Sequence, residues 1–190
     1  MEQRSHLISI FLQKNSQINL SAIRDEEWVF VKHIQDSLEL TTIFQFPDGA
    51  QVADIGTWGW FPLMPLAITF PKVQFTGIDS VRKKTIAVNE MLADLQVSNA
   101  KVVRTRIEDY PKESFDFITA RAVAYIDKLL WRAYPLLKKW GQFIFLKQKS
   151  EEEQQVLEKC LKKYKINLIA THEYQLFEGD IERVIYFLKK

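Results

Sequence analysis

Val52-Ala53-Asp54-Ile55-Gly56-Thr57-Trp58-Gly59-Trp60-Phe61-Pro62 is the stretch that decides the fold class of this chain. Its apolar start predicts a buried parallel strand, and a helical pattern runs from Leu63 to Phe70. A strand, a glycine-containing turn and a helix N-terminus together form the half-site that holds a nucleotide cofactor against backbone N–H groups. Such a loop normally has small residues, which let the backbone approach the ligand, but two tryptophans stand in this one.

Strand and helix patterns alternate along the rest of the chain, which is typical of a parallel α/β sheet with right-handed crossovers. The last two strands are separated only by a turn region and are expected to pair antiparallel. We therefore predict a Rossmann-like fold with a mostly parallel seven-stranded sheet, an antiparallel C-terminal edge and a helical N-terminal cap. The predicted strands are 52–55, 73–78, 100–105, 115–120, 143–146, 165–171 and 183–188; the predicted helices are 63–70, a long one that includes Ile86 and Leu95, 124–137 and 151–164.

Length and composition agree with one globular unit. The 190 residues are 47% hydrophobic and 26% charged, and they predict a single domain, 1–190, with a cap over 1–45 and a core over 46–190. The net charge of +2 permits a nucleic-acid partner without requiring one. A lone cysteine, Cys160, fits a cytoplasmic protein without disulfides. We expect no metal site and no membrane partner, since there is no Cys/His cluster and no apolar run of membrane length.

Several polar residues follow predicted strands, at the edge where a ligand would bind. Asp79 lies about twenty residues after Gly56, which suits a carboxylate that binds ribose hydroxyls, although Asp is also a common helix cap. Glu108 could accept from an adenine amino group or be an ordinary solvated carboxylate. Arg106 and Arg121 stand near neighbouring strand ends, which points to a phosphate or another anionic partner.

More specific motifs lie on both sides of the glycine loop. The most distinctive are Asn19-Leu20-Ser21-Ala22-Ile23-Arg24-Asp25, Val31-Lys32-His33-Ile34-Gln35-Asp36-Ser37-Leu38 and Ala120-Arg121-Ala122-Val123-Ala124. With Asp54-Ile55-Gly56-Thr57 and Phe61-Pro62, these segments resemble the glucose-inhibited division protein B family. Members of that family are bacterial 16S ribosomal RNA guanine-N7 methyltransferases. The resemblance runs from about residue 10 to the C-terminus.

The resemblance implies S-adenosylmethionine-dependent methylation of guanine N7 in 16S ribosomal RNA, with the RNA or the small ribosomal subunit as the partner. The sequence leaves the oligomeric state open, and a monomer is the default expectation. It also implies positions for the site residues. The cofactor would contact Gly56, Phe61, Ile107, Glu108 and Arg121, with Asp79 at the ribose. The residues expected beside the target base are His33, Asp36 and Ser37, and the RNA-binding candidates are Asn19, Arg24, Arg106, Lys147 and Arg183. The alternative for His33 is a helix-face histidine that makes one structural hydrogen bond.

Three tryptophans depart from the family pattern. Trp58, Trp60 and Trp140 stand where family members have glycine. We hypothesise that these positions are glycine in the cell, since some bacteria read UGA as glycine and a translation that reads it as tryptophan gives this pattern. One rival explanation is a paralogue with a blocked cofactor loop, which would make the chain a non-catalytic RNA- or ribosome-binding relic. Another is a rearranged loop in which an indole stacks on adenine.

The chemistry leaves two further alternatives open. A nicotinamide-dependent oxidoreductase would also use a glycine loop with Asp79, although the chain has no complete G-x-G-x-x-G. A methyltransferase of small molecules is the other.

Guanine N7 carries an in-plane lone pair at neutral pH and needs no general base, which fits a sequence without an obvious acid/base dyad. Because the A-form major groove is deep and narrow, the target base should lie in a loop or be pulled from its stack.

Overall fold

The sheet confirms the predicted fold class. A computed structural model describes residues 2–56, 61–121, 125–177 and 179–190. Seven strands form one sheet in the order β3-β2-β1-β4-β5-β7-β6, in which β1 to β5 run parallel and β7 is antiparallel to both its neighbours. The strands are β1 Gln51–Ile55, β2 Gln74–Asp79, β3 Ala100–Arg104, β4 Phe115–Arg121, β5 Leu137–Gln148, β6 Asn167–Leu176 and β7 Ile181–Lys189.

The N-terminal part is helical, as predicted. Helix α1 spans Glu2–Ile18, and a second helical segment runs as α2 Glu26–Val29, a wider π-type turn Phe30–Gln35 and α3 Asp36–Ile43. The Asp25 side chain begins this segment by accepting a hydrogen bond from the Trp28 backbone N–H at 3.1 Å. The remaining helices are α4 Leu63–Thr69, α5 Arg82–Asp94, α6 Ile126–Ala133 and α7 Glu151–Tyr164.

Apolar side chains cover both faces of the sheet. Adjacent residues of β1 point to opposite faces, so Val52 joins one buried cluster and Ala53 the other. The first cluster packs against α1, α3, α4 and α5, and the second against α6 and α7. This two-sided burial explains the apolar runs in the central strands β1 and β4 and in the second half of β5.

The region before β5 differs from the prediction. A helix over 124–137 was expected, but α6 ends at Ala133, Tyr134–Leu136 forms a 3₁₀ turn, and β5 begins at Leu137 rather than Phe143. Pro135 lies in that turn and has no N–H to continue the helical hydrogen bonds. Residues 122–124 lie outside the described part of the chain.

Trp140 adopts a backbone conformation that favours glycine. Its φ is +68°, in a stretch of β5 where the register against β4 shifts between Phe115 and Phe117. Glycine is the usual residue at left-handed positions of such bulges, since a bulky side chain there meets the backbone. The Trp140 side chain is 68% exposed, so little packing offsets this strain. The backbone therefore supports the hypothesis of a glycine at this position.

Replacing Trp140 with glycine is expected to raise the free energy of unfolding by about 1 kcal/mol, because the left-handed strain is relieved. Urea unfolding measures the change. Trp131 supplies the control, since it is also exposed, at 61%, but lies inside α6. Trp131→Gly should destabilise the protein by about 0.5–1 kcal/mol. Equal destabilisation by the two substitutions would contradict the strain argument.

Candidate cofactor and substrate sites

The glycine loop begins where the strand order of the sheet reverses. β1 pairs with β2 on one side and β4 on the other, and ligands of open α/β sheets bind in the crevice at such a point. Gly56 follows β1 directly and has a φ of +70°, a left-handed conformation that favours glycine. Thr57, Trp58, Gly59 and Trp60 lie outside the described residues.

A cavity of about 480 Å³ opens beside Gly56 at the carboxyl ends of β2 and β3. It combines a left-handed glycine, apolar side chains and carboxylates, which suits an adenosine group with its ribose. Its lining includes Gly56, Ile78, Asp79, Arg106, Ile107 and Glu108.

Asp79 contributes a carboxylate to this cavity. Its Oδ1 accepts a hydrogen bond from the Val81 backbone N–H at 2.7 Å, whereas the N-terminal cap of α5 is Val81, which makes no side-chain capping bond. Asp79 is thus not the assigned cap residue of α5, but its carboxylate does hold the backbone at the start of that helix, and it lines the cavity as well. Glu108 forms an ion pair with Arg132 at 3.3 Å, and both side chains are about half exposed. The carboxylate of Glu108 is thus solvated and still lines the cavity.

Arg121 lies in a second cavity, of about 380 Å³, formed by the N-terminal helical segment and the ends of β4, β6 and β7. Its lining residues are Ile23, Lys32, His33, Asp36, Arg121, Gln148, Leu176, Ile181 and Arg183. Three cationic side chains face one carboxylate here, which gives the cavity an excess of positive charge. Arg121 was expected to contact the cofactor together with Gly56 and Glu108. Those two residues line the first cavity, whereas Arg121 lines the second.

Asp36 is the centre of a buried polar network below the second cavity. Arg183 donates to both of its carboxylate oxygens, at 2.9 and 3.0 Å, and Arg121 Nη1 donates to Oδ2 at 3.1 Å. The Tyr174 hydroxyl donates to Oδ1 at 2.7 Å. Asp36 is only 1% exposed, so the carboxylate balances two buried guanidinium groups. Burial raises the pKa of Tyr174, and the Asp36 charge adds to that shift, so its hydroxyl remains a donor.

The Arg121 guanidinium is also held by backbone oxygens. Nη1 donates to the Lys32 carbonyl at 2.6 Å, and Nε donates to the Phe61 carbonyl at 3.2 Å. The first acceptor belongs to the π-type turn, whose altered geometry is frequent at functional sites. Phe61 is buried, with its ring stacked on His33 at 4.9 Å. Arg121 therefore joins the end of β4 to the chain that leaves the glycine loop.

The contacts of His33 favour a neutral imidazole. Arg121 Nη2, which can only donate, lies 3.0 Å from His33 Nδ1, and the Lys32 carbonyl oxygen, which can only accept, lies 3.2 Å from the same nitrogen. The shorter contact, to Arg121, has Nδ1 as the acceptor and the proton on Nε2. Nε2 lies 3.0 Å from the Ser21 hydroxyl. Burial and the Arg121 charge lower the pKa of His33 to about 3, so the imidazole is neutral near pH 7. The alternative considered for His33 was a histidine with one structural hydrogen bond. The ring instead contacts Arg121, Ser21 and the Phe61 ring.

Ser37 and several predicted RNA contacts are engaged within the protein. Ser37 has no exposed surface, and its hydroxyl donates to the His33 carbonyl at 2.6 Å, so it cannot contact a base directly. Lys147 is 5% exposed and pairs with Glu153 at 3.0 Å, which places its ammonium away from an RNA phosphate. Arg183 is committed to Asp36.

The other RNA candidates are more accessible. Arg24 Nη2 donates to Asn19 Oδ1 at 3.0 Å on an exposed part of the surface. Asn19 itself has a φ of +54°, a conformation that asparagine tolerates, and ends α1. Arg106 lines the first cavity. Arg106 therefore lines a different cavity from Arg183, which lines the second one.

Asp54 was not singled out from the sequence, although it lies in the deciding stretch. Its side chain is 1% exposed, and its Oδ1 accepts a hydrogen bond from the Thr119 hydroxyl at 2.9 Å. Burial raises its pKa to about 7. An acidic residue within an apolar strand was the available signal, whereas no sequence pattern connected Tyr174 to the site.

The titration of Asp54 predicts a pH-dependent stability. Because the folded-state pKa lies above the unfolded value, its contribution to stability is present below about pH 4 and is lost as the pH rises through about 7. Asp54→Asn should therefore gain roughly 2–3 kcal/mol relative to the wild type between pH 5 and pH 8. Urea unfolding at both pH values measures this change, with the exposed Asp48→Asn as a control. A difference between Asp54→Asn and the wild type that does not change with pH would contradict the shift.

The described part of the chain contains neither a metal-binding cluster of side chains nor a helix of membrane-spanning character. In the described ranges, 2–56, 61–121, 125–177 and 179–190, no three side chains of His, Cys, Asp or Glu are placed to bind a metal ion together. Over the same part of the chain, no helix combines the length and apolar character needed to cross a membrane.

Structural comparison identifies the fold. A S-adenosylmethionine-dependent methyltransferase from Aquifex aeolicus aligns over 84% of this chain and 92% of its own, with a TM-score of 0.65 and 17% identity. TYW2 of M. jannaschii, solved in complex with AdoMet, aligns over 83% of this chain and 76% of its own, with a TM-score of 0.64 and 15% identity. The [4+2]-cyclase SpnF has a TM-score of 0.65 at 13% identity, over 83% and 79%, which shows that this fold also carries other reactions.

Sequence comparison is more specific. Ribosomal RNA small subunit methyltransferase G of Staphylococcus aureus strain bovine RF122 / ET3-1 is 34% identical over 186 residues, which cover 95% of this chain and 78% of that protein. The protein of the same name from strain N315 matches over the same shares at 34% identity. The profile of the family described as rRNA small subunit methyltransferase G matches residues 1–179. The motifs on both sides of the glycine loop predicted this relationship. The chain therefore belongs to the rRNA small subunit methyltransferase G family.

Proposed function

We propose that this chain transfers a methyl group from S-adenosylmethionine to guanine N7 of 16S ribosomal RNA, in the cytoplasm where ribosomes assemble. The observation that carries the proposal is the cavity in which left-handed Gly56, Asp79, Ile107 and Glu108 meet, beside the glycine loop and at the carboxyl ends of β2 and β3. Membership of the family connects this cavity to ribosomal RNA. The nicotinamide alternative lacks such support, because the family to which the chain belongs is one of rRNA methyltransferases.

The residues of the first cavity fit S-adenosylmethionine. Asp79 would accept hydrogen bonds from the ribose hydroxyls, and Ile78 and Ile107 would contact the adenine. Glu108 would accept from its amino group, and Gly56 would let the backbone approach the ligand. When bound, the cofactor supplies an electrophilic methyl group on a positively charged sulfur. The side chains of this cavity thus hold the donor, and the second cavity remains for the acceptor base.

The second cavity favours an acceptor that needs no deprotonation. His33 is neutral, but Arg121 occupies the lone pair of its Nδ1, and the oxygens of Asp36 are taken by Arg121, Arg183 and Tyr174. Neither candidate is therefore a ready general base. Guanine N7 has an in-plane lone pair and requires none, so this network would act by positioning the base and excluding water. We assign His33 and Asp36 this positioning role.

Cofactor binding gives the direct test of the first cavity. Asp79→Ala is expected to weaken S-adenosylmethionine binding at least tenfold, because one charge-assisted contact to the ribose is lost. Isothermal titration calorimetry would measure the dissociation constant, with the exposed Asp48→Ala as a matched control. Unchanged affinity in the Asp79 variant would overturn the placement of the ribose.

A further inference from the structure

An aromatic pair stands at the rim of the second cavity. The rings of Trp28 and Phe177 lie 4.5 Å apart with an angle of 32° between their planes, and the Lys32 ammonium lies 4.2 Å from the centre of the Trp28 ring. Lys32 also lines the cavity, as does Leu176, the neighbour of Phe177. The pair therefore lies next to two residues that line the cavity, with Phe177 in the turn between β6 and β7.

Phe177 is exposed although it is apolar and strained. It is 36% exposed, and its φ of +51° lies in the left-handed region, where a bulky residue is an outlier. Its carbonyl accepts a hydrogen bond from the Asp180 backbone N–H at 3.0 Å, which closes the turn. Folding alone would favour glycine or asparagine at this position. Trp140 shares this strain and exposure, but Phe177 differs from it because its ring packs on Trp28 next to a residue that lines the second cavity. That position favours a ligand contact as the reason for the strained aromatic residue.

We propose that Phe177, backed by Trp28 and Lys32, forms a stacking platform for a base of single-stranded RNA next to the base in the second cavity. Stacking on aromatic side chains is how proteins hold unpaired bases, and it tolerates any base because every base has a flat face. The positive excess of the cavity lining, with Lys32, Arg121 and Arg183 around Asp36, suits the phosphates that connect two such bases. This inference rests on the proposed function, because it assumes that the second cavity receives a base.

The platform predicts an RNA affinity that depends on bases as well as on phosphates. The probes are a ten-nucleotide single-stranded RNA and an oligomer with the same sugar-phosphate backbone but no bases, both with a fluorescent end label. Phe177→Ala should weaken binding of the intact RNA about tenfold, as expected for the loss of one stacked base, and leave binding of the abasic oligomer unchanged. Fluorescence anisotropy at a fixed salt concentration measures both dissociation constants, since phosphate contacts vary with salt.

Further variants of Phe177 distinguish the loss of the aromatic ring from a loss of folding stability. Phe177→Tyr should keep the affinity, whereas Phe177→Leu should lose it, because leucine is apolar without a flat ring. Phe177→Gly removes the ring and relieves the left-handed strain at the same time, so its loss of binding would not come from unfolding. Thermal melts of each variant measure whether it remains folded at the temperature of the binding experiment.

The chain provides a matched control at the opposite end of the sheet. There, the Lys139 ammonium lies 5.3 Å from the ring centre of exposed Trp140, so Trp140→Ala removes a similar cation–aromatic pair. This variant should bind both oligomers as the wild type does. Equal binding of the intact RNA by wild type and Phe177→Ala would overturn the platform, as would a wild type that binds both oligomers equally. Methyl transfer to 16S RNA is measured separately, so base-dependent binding without methyl transfer would support the platform and contradict the proposed function.

Discussion

Replacing Asp36 by alanine is expected to lower the free energy of unfolding by about 3–5 kcal/mol, because two buried guanidinium groups lose their only shared carboxylate among the described residues. The substitution also removes the acceptor of Tyr174. These contacts join α3 to β4, β6 and β7, so the loss affects the packing of the helical N-terminus on the sheet. Urea unfolding at neutral pH measures the effect.

A control for this prediction comes from an exposed ion pair. Asp48 binds Lys72 at 2.9 Å, and both side chains are more than 70% exposed. Asp48→Ala should therefore change stability by no more than about 0.5 kcal/mol. Asp36→Asn keeps the size and one acceptor of the side chain but removes its charge, so its effect should lie between the other two. A similar small loss in all three variants would show that Asp36 does not balance the two arginines.

Glycines at positions 58 and 60 are expected to tighten S-adenosylmethionine binding at least tenfold relative to the chain as written. Both positions follow Gly56 in the loop that would approach the cofactor. There, an indole in place of a hydrogen atom would take up space and make a positive φ unfavourable. Because residues 57–60 lie outside the described part of the chain, this prediction rests on the sequence. Calorimetry on the double variant Trp58→Gly, Trp60→Gly measures the change.

Trp140→Gly is the control for the loop variants. It makes the same substitution at the opposite end of the sheet, so it should change stability without changing cofactor affinity. Micromolar binding by the wild type, with no improvement in the double variant, would show that the tryptophans belong in the loop. If only the double variant binds, the codons at positions 58, 60 and 140 decide between recoded glycines and a decayed paralogue. UGA at all three positions is expected for recoding.

Much of the fold could be predicted because each strand leaves a local signal. The parallel strands are short apolar runs, and the glycine at the end of β1 marks the turn into the cofactor site. The end of α6 was harder to predict, since Leu136 and Leu137 continue a helical apolar pattern while Pro135 directs the chain into a 3₁₀ turn. Which of these two signals prevails depends on packing against the neighbouring β4.

The buried network could not be predicted in the same way. Asp36 binds Tyr174, which lies 138 positions away, and Arg183, which lies 147 positions away, so no local pattern connects them. Lys147 and Glu153 are near in sequence, but their burial follows from the docking of α7 beside β5. A charged residue near a strand end thus suggests a ligand contact in the sequence, while the fold decides whether it faces the ligand or another side chain.

Methyl transfer to ribosomal RNA tests the central claim most directly. The wild type and the variant with glycine at positions 58, 60 and 140 would each be incubated with unmodified 16S RNA or small subunits and S-adenosylmethionine labelled at the methyl group. The RNA is then digested to nucleosides and separated by chromatography. We predict label in 7-methylguanosine from at least the glycine variant, and a loss of label when Asp79 is replaced by alanine. No label from either protein, or label in a different nucleoside, would contradict the proposed function.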